Sequence, residues 1–245
     1  MLKAEIKAEV LKEVVEIIQT IVDEVKFNFS KEGLSLKAVD PAHVAMVEME
    51  LKKDAFISFE ADETELGIAL NKLDQFLKLS ASSDKVTIEH EDDGNRLVLK
   101  VNNITQKMPL LDTAGMTDPS VPQLDLPIDV KLLGKHLQTG VKASQNISDH
   151  IAISIGPNGF ELFSEEDEDS VKLAIPKDQL EELDASEDVR SLFALDYFAN
   201  MIKSVDSNKI VQLELGKDYP VKMQFDFADN NGHVMFLLAP RIESV

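Results

Sequence analysis

The stretch "IVDEVKFNFSKEGLSLK", residues 21–37, and the stretch "ISDHIAISIGPNGFELF", residues 147–163, decide how this chain is read. Laid over one another without a gap, they place Ile21, Asp23, Val25, Phe27, Phe29, Gly33, Leu34 and Leu36 on Ile147, Asp149, Ile151, Ile153, Ile155, Gly159, Phe160 and Leu162, at a constant offset of 126. Apolar residues at every second position mark strands with one buried face. The shared glycine falls where a hairpin turn needs positive φ. Each half of the chain carries the same hairpin.

The echo extends outward. "SSDKVTIEHE" from Ser82 answers "VDSNKIVQLE" from Val205, with Lys85 on Lys209. Each half opens on a helix-like stretch. In the first, Val10, Leu11, Val14, Val15, Ile18, Ile21 and Val22 keep helical spacing; in the second, Leu133, Leu137 and Val141 do so more weakly, because Gly134 and Gly140 intervene. A second helix is expected at about 70–80 and at 190–203, each followed by two strands. The predicted class is α+β, with two copies of one domain that buries a face of antiparallel sheet under two helices. The expected boundaries are 1–112 and 128–245, joined by a connector over 113–127 in which Pro119, Pro122 and Pro127 remove backbone donors. The acidic run "SEEDEDS" (164–170) reads as a solvated hairpin loop.

Composition bounds the rest. The chain has 245 residues, 44% of them hydrophobic, enough for a sizeable core. Cysteine is absent, which excludes disulfides, thiolate metal sites and cysteine nucleophiles. The N-terminus lacks the apolar core of a signal peptide and no apolar run is long enough to span a membrane, so a soluble, intracellular protein without a membrane partner is expected. The formal net charge of −20 opposes nonspecific adhesion to nucleic acid. Taken alone, it fits a DNA mimic, a protein adapted to high salt, or a well-solvated surface.

The charge is unevenly distributed. Residues 131–145 carry Lys131, Lys135 and Lys142 and no acid, and stretches 70–80 and 190–203 are each +1, whereas 9–22 is −2. The four stretches together are +3 in a chain of −20. Lysine is a good helix former, which is one explanation; a surface shaped to face a polyanion is the other. No catalytic constellation emerges. The histidines at 43, 90, 136, 150 and 233 lack HxxxH or HExxH spacing, and no GxxxxGK, GxGxxG or GxSxG occurs. The chain is expected to be a binding protein rather than an enzyme, with no metal and no cofactor.

The pattern resembles the sliding clamps of the proliferating cell nuclear antigen family of archaea and eukaryotes, closer to the archaeal branch. The resemblance is carried by "LSLKAVDPAHVAMVEMEL" (34–51), the proline-bearing connector, "LFALDYFANMIK" (192–203) and "GHVMFLLAPRIES" (232–244), in order along essentially the whole chain. It implies the DNA clamp fold and a closed homotrimeric ring that encircles double-stranded DNA without sequence preference and acts as a processivity factor. A separate clamp loader would open the ring. DNA polymerase, ligase and nuclease partners would attach through short peptide motifs. The location would be cytoplasmic and nucleoid-associated in an archaeon, nuclear in a eukaryote.

By that resemblance Lys12, Lys78, Lys142 and Lys203 face DNA, with Lys72 and Lys135 on the same helices. Glu13, Gln19 and Asp196 depart from the family's basic positions. The subunit interface would pair "ITQKMPLLD" (104–112), with Met108 and Leu110, against "SVKLAIP" (170–176) of a neighbour. There alternation is expected to expose Val171, Leu173 and Ile175, although it would also suit an ordinary internal strand. The peptide groove would use His43, Val44 and Met46, then Pro119, Val121 and Pro122, then Pro220 with Leu237, Leu238, Ala239, Pro240, Arg241 and Ile242. Phe236 and Leu238 are expected in the core of a last strand, with Leu237 turned outward. The alternatives are an acidic DNA mimic that binds basic partners, and a specialised subunit of a heterotrimeric clamp.

Overall fold

The computed structural model describes residues 1–90 and 95–242. Its elements follow one order twice. The first copy runs β1 (Leu2–Lys7), α1 (Ala8–Gln19), β2 (Glu24–Ser30), β3 (Gly33–Val39), β4 (Ala45–Lys52), β5 (Ser58–Ala61), β6 (Thr64–Ala69), α2 (Leu70–Leu77), β7 (Lys85–His90), β8 (Arg96–Val101) and β9 (Ile104–Pro109). The second runs β10 (Ile128–Leu133), α3 (Gly134–Ser144), β11 (His150–Gly156), β12 (Gly159–Glu166), β13 (Asp169–Pro176), β14 (Glu182–Asp184), β15 (Val189–Ala194), α4 (Leu195–Lys203), β16 (Ile210–Leu215), β17 (Val221–Phe227) and β18 (Gly232–Leu238).

The strands of each copy form a row of five and a row of four. The fives are β5-β1-β7-β8-β9 and β14-β10-β16-β17-β18; the fours are β6-β2-β3-β4 and β15-β11-β12-β13. The duplication reaches single hydrogen bonds. The N–H of Lys53 donates to the Glu32 carbonyl (2.8 Å), and that of Lys177 to Asn158 (3.0 Å). Gly33 and Gly159 sit at φ 140° and 151°, and a Cβ there would lie 2.1 Å from the Leu51 oxygen and 2.2 Å from the Ile175 oxygen. Both the φ and the close approach of another backbone exclude a side chain. The run at 164–170, expected as a solvated loop, is the tip of the β12–β13 hairpin: the turn is Asp167 and Glu168, with Asp167 at φ 51°, and Ser164 is buried in β12.

No helix has a side-chain N-cap. Loop carbonyls take the orphan N–H groups instead. Ala8 donates to Asp84 (2.8 Å) and Glu9 to Ser82 (3.2 Å); Gly134 donates to Lys209 (2.8 Å) and Lys135 to Ser207 (2.8 Å). Leu70 likewise donates to Asp23 and Leu195 to Asp149, both at 2.9 Å. Each helix buries an apolar stripe, in α1 Ala8, Leu11, Val14, Val15, Ile17 and Ile18. At about 1.5–3 kcal/mol for each large side chain, this packing outweighs the weak intrinsic stability of such short helices.

The copies pack as two compact units, with short segments traded. The first holds Met1–Pro41, Val47–Ser120 and Asp226–Val234; the second holds Ala42–Met46, Val121–Phe225 and the segment from Met235. Strands β4 and β18 are hydrogen-bonded neighbours. At one end of this pair, in the first unit, Lys52 N–H donates to the Asn231 carbonyl (2.8 Å); at the other, in the second, Ala239 N–H donates to Val44 (2.8 Å).

Several expectations need correction. A strand precedes the first helix of each copy, so Lys131 lies on β10, ion-paired to Glu182, and Arg190 lies on β15. The four helices therefore carry Lys12, Lys72, Lys135, Lys142 and Lys203 against Glu9, Glu13, Glu16, Asp74 and Asp196. They are neutral in a chain of −20, not positive. In β18, Leu237 is only 6% exposed and Val234, Met235, Phe236 and Leu238 are buried too, so from Val234 onward the strand is covered on both faces and Leu237 does not point into solvent. Replacing Gly33 or Gly159 by alanine is expected to cost more than about 2 kcal/mol each in chemical denaturation; a cost below about 0.5 kcal/mol would contradict the turn geometry.

Candidate partner groove, helix faces and sheet edges

The groove residues of the second unit are gathered by backbone bonds. His43 is exposed and left-handed at φ 57°, turning the chain so that the Val44 carbonyl meets Ala239 N–H. Arg241 N–H then donates to the Leu192 carbonyl (2.7 Å), which lays the terminal segment along β15. Val44, Val121, Pro220, Ala239 and Pro240 are half-buried, and Pro122 and Arg241 are exposed. Ile242 is 85% exposed. Met46, Leu237 and Leu238 are buried. Pro119 is half-buried and belongs to the first unit.

The sequence reading missed the loop that follows β16. The buried Ser191 hydroxyl donates to the Gly216 carbonyl (3.0 Å) and accepts from Asp218 N–H (3.0 Å). With Asp218 at φ 60°, this turn presents Tyr219 half exposed. A Cβ on Gly216 would lie 3.3 Å from both Leu126 Cδ2 and the Tyr219 side chain, so Leu126 of the connector packs over this loop. An isolated Tyr-Pro pair gave no periodic signal. Arg241 also borders an open cleft of about 620 Å³ with Gln145, Ser148, Asp149, His150, Leu195 and Asp196.

In the first unit, Lys26 and Asn28 of β2 hold the connector through Asp118. Lys26 Nζ lies 3.1 Å and Asn28 Nδ2 3.4 Å from its carboxylate. The Lys26 side chain is 10% exposed, and its hydrogen bond to Asp118 raises its pKa above the usual lysine value against the opposing effect of burial.

The lysines read as DNA-facing fall into two groups. Lys12 is half-buried and its Nζ donates to the Ser80 carbonyl at 2.7 Å. Lys78 pairs with Asp74 at 2.6 Å. Lys72, Lys135, Lys142 and Lys203 are exposed and form no ion pair among the described residues. His136, beside them on α3, is half-buried, and burial with the neighbouring Lys135 lowers its pKa.

The interface strands β9 and β13 are both outermost in their rows, each hydrogen-bonded to a single neighbour. Most of their apolar side chains are covered, although Ile104 is 42% exposed. Met108 and Ile175 are 1% and 3% exposed, and Leu110, Val171 and Leu173 are half-buried. Leu173 packs beneath α3, where a Cβ on Gly140 would lie 3.1 Å from its Cδ2. Alternation in β13 thus serves its own core, and what the strand leaves open is its backbone edge.

Comparison with known proteins agrees with this architecture. The family model described as proliferating cell nuclear antigen, N-terminal domain, matches residues 1–114, and that of the C-terminal domain matches 120–241. Proteins named DNA polymerase sliding clamp are 42% identical in Methanosarcina barkeri and 40% in Methanococcoides burtonii, each over 245 residues and 100% of both chains. The A. fulgidus PCNA, solved with the C-terminal region of FEN-1 bound, superimposes with a TM-score of 0.94 at 30% identity, over 100% of both chains. The chain belongs to the proliferating cell nuclear antigen family.

Proposed function

We infer that this chain is a DNA polymerase sliding clamp, a processivity factor that encircles duplex DNA and tethers replication and repair enzymes. The observation that carries the reading beyond family membership is the pair of open edges. Strands β9 and β18 close their copies' five-strand rows, and β4 and β13 close the four-strand rows. β18 and β4 pair within the chain; β9 and β13, of six and eight residues, hold the equivalent places and have no strand on their outer edges among the described residues.

The other outer strands are guarded. β5 and β14 have four and three residues. β6 is covered where Leu111 N–H donates to the Gly67 carbonyl (2.9 Å), and β15 where Arg241 donates to Leu192. A long unguarded edge invites another strand. Pairing β9 of one subunit with β13 of the next repeats the β18–β4 junction between chains. Such a head-to-tail contact closes into a ring if the rotation permits. The resemblance to sliding clamps supports three subunits.

The function follows from closure. An encircling ring is retained on DNA by topology, so its phosphate contacts can stay weak and sequence-blind, which permits sliding. Partners would attach as short peptides with a glutamine, an aliphatic residue and paired aromatics, laid in the groove bounded by Val44, Val121, Pro122, Tyr219 and the terminal Ala239–Ile242 segment. The nuclease peptide on the A. fulgidus relative supports that mode. Polymerase and ligase attachment, a clamp loader and a place beside DNA in an archaeal cytoplasm complete the proposal. The neutral helices disfavour the DNA-mimic alternative, since a mimic would carry its acids there.

Light scattering at micromolar concentration and moderate salt should give three times the 27.2 kDa chain mass; a monomer would overturn the ring. Fluorescence titration with a peptide of the stated chemistry should weaken at least tenfold in Val121→Ala/Tyr219→Ala while the trimer mass persists. Unchanged affinity would place the groove elsewhere.

A further inference from the structure

We infer that the phosphate contacts of this clamp come mainly from one half of each chain: Lys135, Lys142 and Lys203 of the second copy hold the duplex backbone, and the equivalent Glu9, Glu16 and Lys78 of the first copy do not. That leaves the first copy's helices only Lys72, equivalent to Tyr197, as an exposed lysine without an ion pair among the described residues. The inference rests on the sliding-clamp reading and specifies which surface meets DNA.

Equivalence is fixed by hydrogen bonds rather than by sequence similarity. The N–H of Glu9 donates to Ser82 as that of Lys135 donates to Ser207, which matches Glu9 to Lys135. Seven residues on, Glu16 matches Lys142. Leu70 N–H to Asp23 and Leu195 N–H to Asp149 match the second helices, and so match Lys78 to Lys203. Glu9, Glu16, Lys135 and Lys142 are all exposed; Lys7 Nζ lies 3.7 Å from Glu9, so this end of α1 is neutral where the second copy, with Leu133 in place of Lys7, is positive. Two positions per copy have therefore reversed sign.

Lys78 and Lys203 share a sign but not a state. Asp74, one turn before Lys78, neutralises it at 2.6 Å; the matching residue before Lys203 is Ala199. An ammonium already paired offers a phosphate less, because the new contact must displace the old one. Lys12, the remaining basic residue of α1, matches Gln138. Lys12 Nζ donates to Ser80 at 2.7 Å, and Gln138 Nε2 donates to Val205 at 2.7 Å, both at the loop that follows the copy's second helix. Lys12 is thus a structural donor whose task an uncharged amide performs in the other copy.

The second copy has the geometry for a polyanion. Lys135 and Lys142 are seven residues, about two turns and roughly 10.5 Å apart on one stripe of α3. Between them, Gln138 and Thr139 are occupied with backbone acceptors, Val205 and Lys135. Each subunit then presents one attractive and one repulsive helix face, and the number of phosphate contacts is about half what a symmetric duplication would supply. Few contacts mean low affinity and a shallow salt dependence, with log Kobs falling by about 0.9 per phosphate neutralised for each tenfold rise in salt.

The test measures anisotropy of an end-labelled duplex of roughly 30 base pairs, able to thread the preformed ring, at about 50 mM salt, where such contacts are strong. Lys135→Ala/Lys142→Ala should weaken binding at least tenfold and flatten the salt slope. Glu9→Gln/Glu16→Gln should tighten binding at least threefold, a gain that misfolding would not produce. Lys12→Gln should stay within twofold of the parent. Solution mass is recorded for every variant. If the parent ring binds and the α3 double variant stays within twofold, or the α1 double variant fails to tighten, this inference is overturned and the clamp reading survives. If the parent neither assembles nor binds, both are overturned.

Discussion

A β-sheet edge presents a row of N–H and C=O groups that need partners, and the architecture of this chain follows from where those rows are closed. Three devices close them. Two edges are kept to four and three residues in β5 and β14. Two are covered by the segment that leaves each copy, Leu111 on Gly67 and Arg241 on Leu192. One pair, β4 and β18, closes on itself within the chain. The outer edges of β9 and β13 stay open among the described residues, and in the proposed ring another copy of the molecule would close them. Leu111 and Arg241 do the same work, each sealing the edge of its own copy's four-strand row.

Much of this was legible in the residues. The alternation through Val25, Phe27 and Phe29, repeated in Ile151, Ile153 and Ile155, with glycine six residues after the first of each run's last pair, gave the hairpins and the duplication. The strands that open each copy were not read, because "LKAEIK" and "IDVKLL" run into helices without a Ser, Thr, Asp or Asn cap; loop carbonyls supply the cap, and a carbonyl has no signature in sequence. Lys131 was consequently counted on a helix. Alternation also misled at the ends: Leu237 alternates with Phe236 and Leu238, but both faces of β18 are covered, so the period does not separate inside from outside. In β13 the apolar side of Val171, Leu173 and Ile175 turned to α3, since an edge strand still needs a core face.

The same distinction between type and state applies to the charged residues. A lysine in a list of basic positions can be a hydrogen-bond donor to its own fold, as Lys12 is, or half of an ion pair, as Lys78 is. Only the fold separates these from Lys72, Lys135, Lys142 and Lys203, which are exposed and form no ion pair among the described residues. The net charge of −20 is then carried wholly outside the four helices, which keeps polyanions from adhering elsewhere while leaving the helix faces approachable. The candidate groove residues divide comparably: Met46, Leu237 and Leu238 are buried, while Tyr219 and Ile242 are exposed.

Hydrogen exchange of the backbone amides in β9 and β13 tests the account most directly. At micromolar concentration the outward amides of Ile104–Pro109 and Asp169–Pro176 should be protected to the degree of interior strands, and the protection of both should fall together on dilution, when subunits separate. Rapid, concentration-independent exchange at both edges would show that nothing pairs with them, and would contradict the closed ring.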